Sequence, residues 1–144
     1  MKIRDTYICP LELVHDMIRG KWKTIIVYQL QFGNTSLSKL RRDIVGVSEK
    51  MLVQHLNELQ SIGMVDRVNF PGYPLRVEYF LTERGKKVSR AVNIMQEVGI
   101  EYMAKHNIPY HTKDLNTPFD RDVAESFEAP NRLIIEAGEE IVLL

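Results

Sequence analysis

Ser48-Glu49-Lys50-Met51-Leu52-Val53-Gln54-His55-Leu56-Asn57-Glu58-Leu59-Gln60-Ser61-Ile62-Gly63 reads as a capped amphipathic helix. Ser48 is a good N-cap, because its hydroxyl can accept an otherwise unpaired N–H of the first turn. Leu52, Leu56, Leu59 and Ile62 recur at three- and four-residue spacing and form one apolar face. Gly63 stops the helix. The opposite face presents Glu49, Lys50, Gln54, His55, Asn57 and Glu58. That face is rich in side chains that donate and accept hydrogen bonds, and it lacks a second apolar stripe.

Upstream, Ile44-Val45-Gly46-Val47 is a tight turn, and before it Thr35 or Ser36 caps a short helix carrying Leu37, Lys39, Leu40, Arg41 and Arg42. Two short helices joined by a glycine-containing turn form the helix-turn-helix unit, whose second helix enters a DNA major groove. Further upstream lie two more helices. One starts at Pro10, with Cys9 as its cap and Leu11, Val14, Met17 and Ile18 on one face. The next starts near Trp22, with Trp22, Ile25, Ile26 and Leu30 on its face. Gly20 separates them, and Gly33-Asn34 ends the second.

Downstream the period changes from helical to alternating. Residues 64–70 read as a strand, Pro71-Gly72-Tyr73-Pro74 as a turn and residues 75–81 as a second strand, with Leu75, Val77, Tyr79 and Leu81 on one face. Thr82 then caps a long helix over residues 83–105, with a stripe of Val88, Val92, Met95, Val98 or Gly99, and Tyr102. A hairpin directly after the second helix of a helix-turn-helix makes it winged. The expected fold class is α+β, mainly α: a winged helix-turn-helix with flanking N- and C-terminal dimerisation helices. Residues 1–105 form that domain, and residues 106–144 an acidic extension of unknown role. The extension carries Leu133-Ile134-Ile135 and an aliphatic run at 141–144, readable as a hairpin or as a helix.

The formal net charge is zero, but residues 1–90 carry 15 Lys and Arg against 9 Asp and Glu, whereas residues 91–144 carry 4 against 10. Such asymmetry points to a nucleic-acid-binding part beside an acidic one. No apolar run approaches membrane-spanning length, and Met1-Lys2-Ile3-Arg4-Asp5 leads into no apolar stretch, so neither a membrane span nor a signal peptide is expected. With one cysteine, Cys9, there is no intrachain disulfide framework, which suits a cytoplasmic protein. There is no phosphate loop, nucleotide fingerprint or nucleophile motif, so no enzyme and no cofactor are expected. His106, His111 and Asp114 have a spacing that fits neither a helix face nor a metal knuckle.

Cys9-Pro10, Arg19-Gly20-Lys21-Trp22, Ser48-Glu49-Lys50-Met51-Leu52, Leu56-Asn57-Glu58-Leu59, Gly63-Met64-Val65, Arg76-Val77-Glu78-Tyr79 and Leu81-Thr82-Glu83-Arg84-Gly85 occur in the order and spacing of one family. Over about residues 7–105 the chain resembles the HxlR-type winged helix regulators, relatives of the MarR group. The resemblance implies a dimeric transcription regulator. Where members of that family commonly carry arginines, this chain has His55 and Asn57, so phosphate attraction from this helix is weaker.

The candidate DNA contacts follow from position and chemistry. Ser48, Lys50, Met51, Gln54 and His55 lie on the groove-facing side of the recognition helix. Gln54 can bond adenine bidentately, and Lys50 guanine or phosphate. Lys39, Arg41 and Arg42 lie on the helix that crosses the backbone. Arg67 and Arg76 flank the wing, where an arginine can enter the minor groove; Arg76 can equally pair with Glu78 or Glu83. The wing tip carries no cation, so its contacts should be modest. Val88, Val92, Met95 and Tyr102, helped by Val14 and Met17, are candidates for a two-fold interface, which would make the operator a palindrome. Cys9 at a helix N-terminus faces the positive end of the helix dipole, which favours thiolate, with Arg4 and Lys21 as added cations. It is a candidate sensor of oxidants or electrophiles, or else a small buried apolar residue. The expected partners are double-stranded DNA, a second copy of the chain, and a small-molecule or oxidant inducer. The alternative is a protein-interaction module whose acidic tail docks a partner.

Overall fold

The computed structural model describes residues 1–109. The expectations for His111, Asp114 and the apolar runs at 133–135 and 141–144 lie outside the described residues. The elements run α1 (Pro10–Ile18), α2 (Lys21–Leu30), β1 (Thr35–Ser36), α3 (Leu37–Asp43), α4 (Glu49–Ser61), β2 (Val65–Phe70), β3 (Arg76–Leu81) and α5 (Glu83–Lys105). This is the expected winged helix-turn-helix.

The caps lie where the sequence placed them. The Ser36, Ser48 and Thr82 hydroxyls accept from the N–H groups of Lys39, Met51 and Gly85. Gly20 adopts φ 101° between α1 and α2, a backbone that only glycine takes without strain. One element was not anticipated. Thr35 and Ser36 form a third, edge strand, pairing antiparallel with Tyr79 and Glu78, so the sheet order is β1-β3-β2. Two residues are too few to show alternation, and the same pair reads locally as a cap. The other pairing, β2 with β3, runs from Val65↔Leu81 to Phe70↔Arg76. Leu75 stands outside β3 and Leu11 lies on the outer side of α1, both exposed.

Helix α2 is the hub. Ile26, Val27 and Leu30 pack with Leu40 of α3, with Leu52, Leu56 and Leu59 of α4, with Tyr79 and Leu81 of β3, and with Val92 of α5. At the far end of α4, Gly63 turns the chain into β2. There the Met64 carbonyl accepts the Thr82 N–H at 3.1 Å, the Thr82 hydroxyl donates to the Gly63 carbonyl at 2.6 Å, and Arg84 donates to the Ile62 carbonyl at 2.6 Å. Gly85 lies against this junction, and a Cβ there would overlap the Met64 carbonyl oxygen.

An ion pair with both partners largely buried joins two of the core helices. Lys23, 3% exposed, places Nζ 2.7 Å from Oε2 of Glu58, 17% exposed, joining α2 to α4. The Met1 amino group lies 3.0 Å from Oε1 of the same carboxylate. Burial pushes the Glu58 carboxyl up, but hydrogen bonds from Lys23, the Met1 amino group and Gln54 outweigh it and hold the group at about 2, against an ordinary 4.5.

Two outcomes follow. Gly85→Ala forces backbone apart and should destabilise the chain by about 3 kcal/mol in chemical denaturation. Glu58→Gln strands the Lys23 ammonium and should cost about 3–5 kcal/mol at pH 7. Because the folded state keeps Glu58 ionised, its contribution is complete above about pH 4.5 and is lost as pH falls toward about 2. Unfolding of wild type and Glu58→Gln at pH 7, 4 and 2.5 should therefore show a gap that narrows with acidity; a gap independent of pH would contradict this.

Candidate nucleic-acid interface

The outward face of α4 begins at its cap. The Ser48 hydroxyl accepts the Met51 N–H at 3.2 Å and keeps its own hydrogen to donate, as phosphate binding requires. Lys50 is exposed and makes no ion pair among the described residues; Met51 beside it is 41% exposed. One turn on, Gln54 is exposed, its amide donating to Glu58 at 3.3 Å. Lys50, Met51 and Gln54 thus come together on one surface, with Ser48 at its edge.

His55 does not join them. Its side chain is 12% exposed and turned inward, with Nδ1 3.7 Å from Glu58 and without a hydrogen-bond partner. The reason is angular: His55 lies three residues after Leu52 and four before Leu59, so it flanks the buried stripe. It lines a polar cavity of about 290 Å3 with Asp16, Arg19, Lys23, Gln54 and Glu58. Glu58, also expected on the outer face, is the carboxylate of the buried pair. The sequence signal for that pair was available. Lys23 stands three and four residues before Ile26 and Val27, at a position of α2 that would otherwise be apolar.

The cations of α3 are exposed but engaged. Arg41 reaches across the turn to Glu49 at 2.6 Å; Lys39 pairs with Asp43, and Arg42 lies 4.0 Å from it. Exposed pairs contribute only about 0–1 kcal/mol, so exchanging such a carboxylate for a phosphate costs little. On the wing, the Arg67 side chain is exposed and unpaired among the described residues. Arg76 lies over the Phe70 ring at 4.0 Å and 3.6 Å from Glu78, which places it on the hairpin itself. Sequence reasoning passed over Tyr73 and Leu75, which stand exposed at the wing tip.

Cys9 is exposed, which removes the reading of it as a buried apolar residue. Its neighbours Ile8 and Leu11 are also exposed, at 97% and 64%. The cations expected to serve it are occupied elsewhere: Lys21 lies over the Trp22 ring at 4.4 Å, and Arg4 bonds Asp16 at 3.0 Å and stacks on Tyr7. Asp16 ties the N-terminal segment down, accepting also from Tyr7 and Arg19. Burial raises its carboxyl, and hydrogen bonds from Arg4 and Tyr7 with the charges of Arg4 and Arg19 bring it below the ordinary range.

The stripe proposed for dimerisation splits in two. Val92 is buried in the subunit's own core, Val88 and Met17 pack against that core, and Val14 is half-buried. Met95 and Tyr102 are 56% and 59% exposed, and Ile94 and Val98 join them at 62% and 61%. Among the described residues, no cluster of three His, Cys, Asp or Glu could hold a metal ion, and no helix is long and apolar enough to cross a membrane.

This geometry agrees with comparison to known proteins. The model of the HxlR-like helix-turn-helix family matches residues 17–107. An HTH-type transcriptional regulator from Methanothermobacter thermautotrophicus is 38% identical over 98 residues, covering 68% of this chain and 75% of the relative. The structure of the redox regulator HypR in its reduced form superposes with a TM-score of 0.62 at 32% identity, covering 83% of this chain and 100% of HypR. The reduced form of the regulator YodB from B. subtilis gives 0.57 at 29% identity, covering 63% and 90%. The chain belongs to the HxlR-like helix-turn-helix family, a family of transcriptional regulators.

Proposed function

We propose that this protein is a cytoplasmic, sequence-specific regulator that binds a palindromic operator in double-stranded DNA as a homodimer. The observation that carries this reading is the surface made by Lys50, Met51 and Gln54 on α4, with Ser48 at its edge and Arg67 on the wing beside it. Base edges are read by paired donors and acceptors, which Gln54 supplies, and the backbone by Lys50, Ser48, Arg67 and, after exchange of carboxylate for phosphate, Lys39, Arg41 and Arg42. The exposed Ile94, Met95, Val98 and Tyr102 of α5 support a two-fold interface, one that would set two recognition helices about 34–36 Å apart.

We infer further that Cys9 makes the dimer responsive to oxidants or electrophiles. Its exposure, the exposed apolar residues on either side of it, and the kinship with the redox regulators HypR and YodB support this. A hydroperoxide is reduced to alcohol as the thiol becomes sulfenic acid, which then condenses with a second thiol and loses water. With one cysteine per chain, that second thiol belongs to Cys9 of another copy or to a small thiol; direct alkylation by an electrophile is the third route.

Fluorescence anisotropy tests both parts. On a duplex from the intergenic region beside its gene, the protein should bind saturably against random competitor. Gln54→Ala should lose about 1–3 kcal/mol of discrimination on that duplex. Lys50→Ala should weaken all duplexes alike and reduce the salt slope by about one per subunit. Equal, weak binding to every duplex would remove the DNA reading and return the protein-partner alternative. Hydroperoxide should change the affinity of wild type and leave Cys9→Ser unaffected; the same response in both would remove Cys9 as the sensor.

A further inference from the structure

The hairpin of β2 and β3 ends in a tip unlike the rest of the candidate DNA surface. Residues 71–76 are all exposed. Tyr73 stands fully in solvent and Leu75 is 66% exposed. The Tyr73 side chain has neither a ring contact nor a hydrogen bond among the described residues. Pro71, Gly72, Tyr73, Pro74 and Leu75 carry no charge. Pro71 and Pro74 also lack an N–H and hold φ fixed. The tip therefore offers a phosphate few donors, and it presents two large apolar side chains from a stiffened backbone. Single exposed apolar residues are ordinary, whereas a contiguous group of them marks a contact surface.

The root of the hairpin is braced. The Arg76 guanidinium lies over the Phe70 ring at 4.0 Å, across the last pair of the ladder, and 3.6 Å from Glu78. Arg76 is thus a strut, with Tyr73 beyond it. At the other end of the ladder Val65 is buried in the core, two residues after Gly63 turns the chain out of α4. The five residue steps from Val65 to Phe70 span about 17 Å at the antiparallel rise. Neighbouring major and minor grooves lie half a DNA turn apart, again about 17 Å for a turn of about 34 Å. A hairpin rooted at the end of α4 has the length to carry its tip from the groove that α4 reads to the adjacent minor groove. Arg67, exposed on β2 and in register with Tyr79 near the middle of the ladder, is placed for the backbone between the two grooves. Proteins that act in the minor groove insert apolar side chains between base steps and bend the duplex toward the major groove.

We propose that Tyr73, backed by Leu75, is an apolar wedge that enters the minor groove beside each half-site and opens a base step there. This rests on the DNA-binding reading above and adds to it a contact without charge. The ring displaces water rather than counterions, so its contribution does not follow salt. It favours steps that unstack easily, pyrimidine–purine steps above all. Each wing then reads the deformability of DNA at a position that α4 does not touch. The expectation of modest wing contacts followed from the missing cation, and an apolar wedge needs none.

Anisotropy and end-to-end energy transfer on one doubly labelled duplex, from the intergenic region beside the gene, test this with the full chain. Tyr73→Ala removes a side chain without a partner among the described residues, so thermal unfolding should match wild type. Binding should weaken by about tenfold or more, with the salt slope of wild type retained, whereas Lys50→Ala lowers that slope. Tyr73→Phe keeps the ring and should bind within about threefold of wild type. Energy transfer should report a duplex bent by about 20° or more beyond that in the Tyr73→Ala complex. Wild-type affinity and bend in Tyr73→Ala, with specific binding intact, overturn the wedge, leave the DNA reading standing and return the tip to a protein partner. A loss in Tyr73→Phe equal to that in Tyr73→Ala overturns it too, because the hydroxyl is then the contact. A reduced salt slope in Tyr73→Ala does the same, because the tip then meets phosphate. If wild type binds no duplex specifically, the DNA reading itself falls and takes the wedge with it.

Discussion

The burial of Lys23 against Glu58 is the constraint on which the rest of the structure depends. A leucine stripe seats α4 on α2 but tolerates some rotation about the helix axis, since neighbouring aliphatic contacts are nearly equivalent. An ion pair in a poorly hydrated place tolerates none. Turning α4 by one residue, about 100°, would carry the carboxylate away and leave the ammonium stranded. A buried pair of this kind contributes less to stability than to choosing one arrangement. Here the arrangement it selects is the one in which Lys50, Met51 and Gln54 face outward.

Much of this was legible from residues alone, and the reasons are local. Ser48 with Leu52, Leu56 and Leu59 defines its helix by a cap and a period, and the change of period after Gly63 announces the wing. What escaped reading depends on neighbours distant in sequence. Thr35 and Ser36 become a strand because Tyr79 and Glu78 lie alongside. His55 turns inward because Lys23 and Glu58 leave a polar cavity at the flank of the stripe. Val92 is core because α2 crosses α5 at that point, a fact the stripe on α5 does not contain. The engagement of Arg4 and Lys21 by Asp16 and Trp22 is likewise invisible along the chain.

The candidate DNA surface is lean in free charge. Lys50 is the one lysine or arginine of α4, and each cation of α3 already has a carboxylate near it. Binding through such a surface is an exchange of partners as much as a capture of counterions, which shifts weight from general attraction to phosphate toward the fit of particular side chains to base edges. Arg41 paired with Glu49 also ties the two helices of the motif across their turn, so the surface is held in shape before any ligand arrives.

The junction at Met64, Thr82 and Gly85 has a consequence for signalling. There the end of α4, the first residues of β2 and the start of α5 are joined by short hydrogen bonds and by a backbone approach that admits no side chain. Such a corner leaves no hinge, so the DNA-reading unit and the first turns of α5 move as one body. In the proposed homodimer, a stimulus received at the N-terminal segment or along α5 would have one mechanical output, a change in the angle and separation of whole subunits. For the proposed homodimer, regulation would then be a matter of gauge, the spacing between two rigid readers on the double helix.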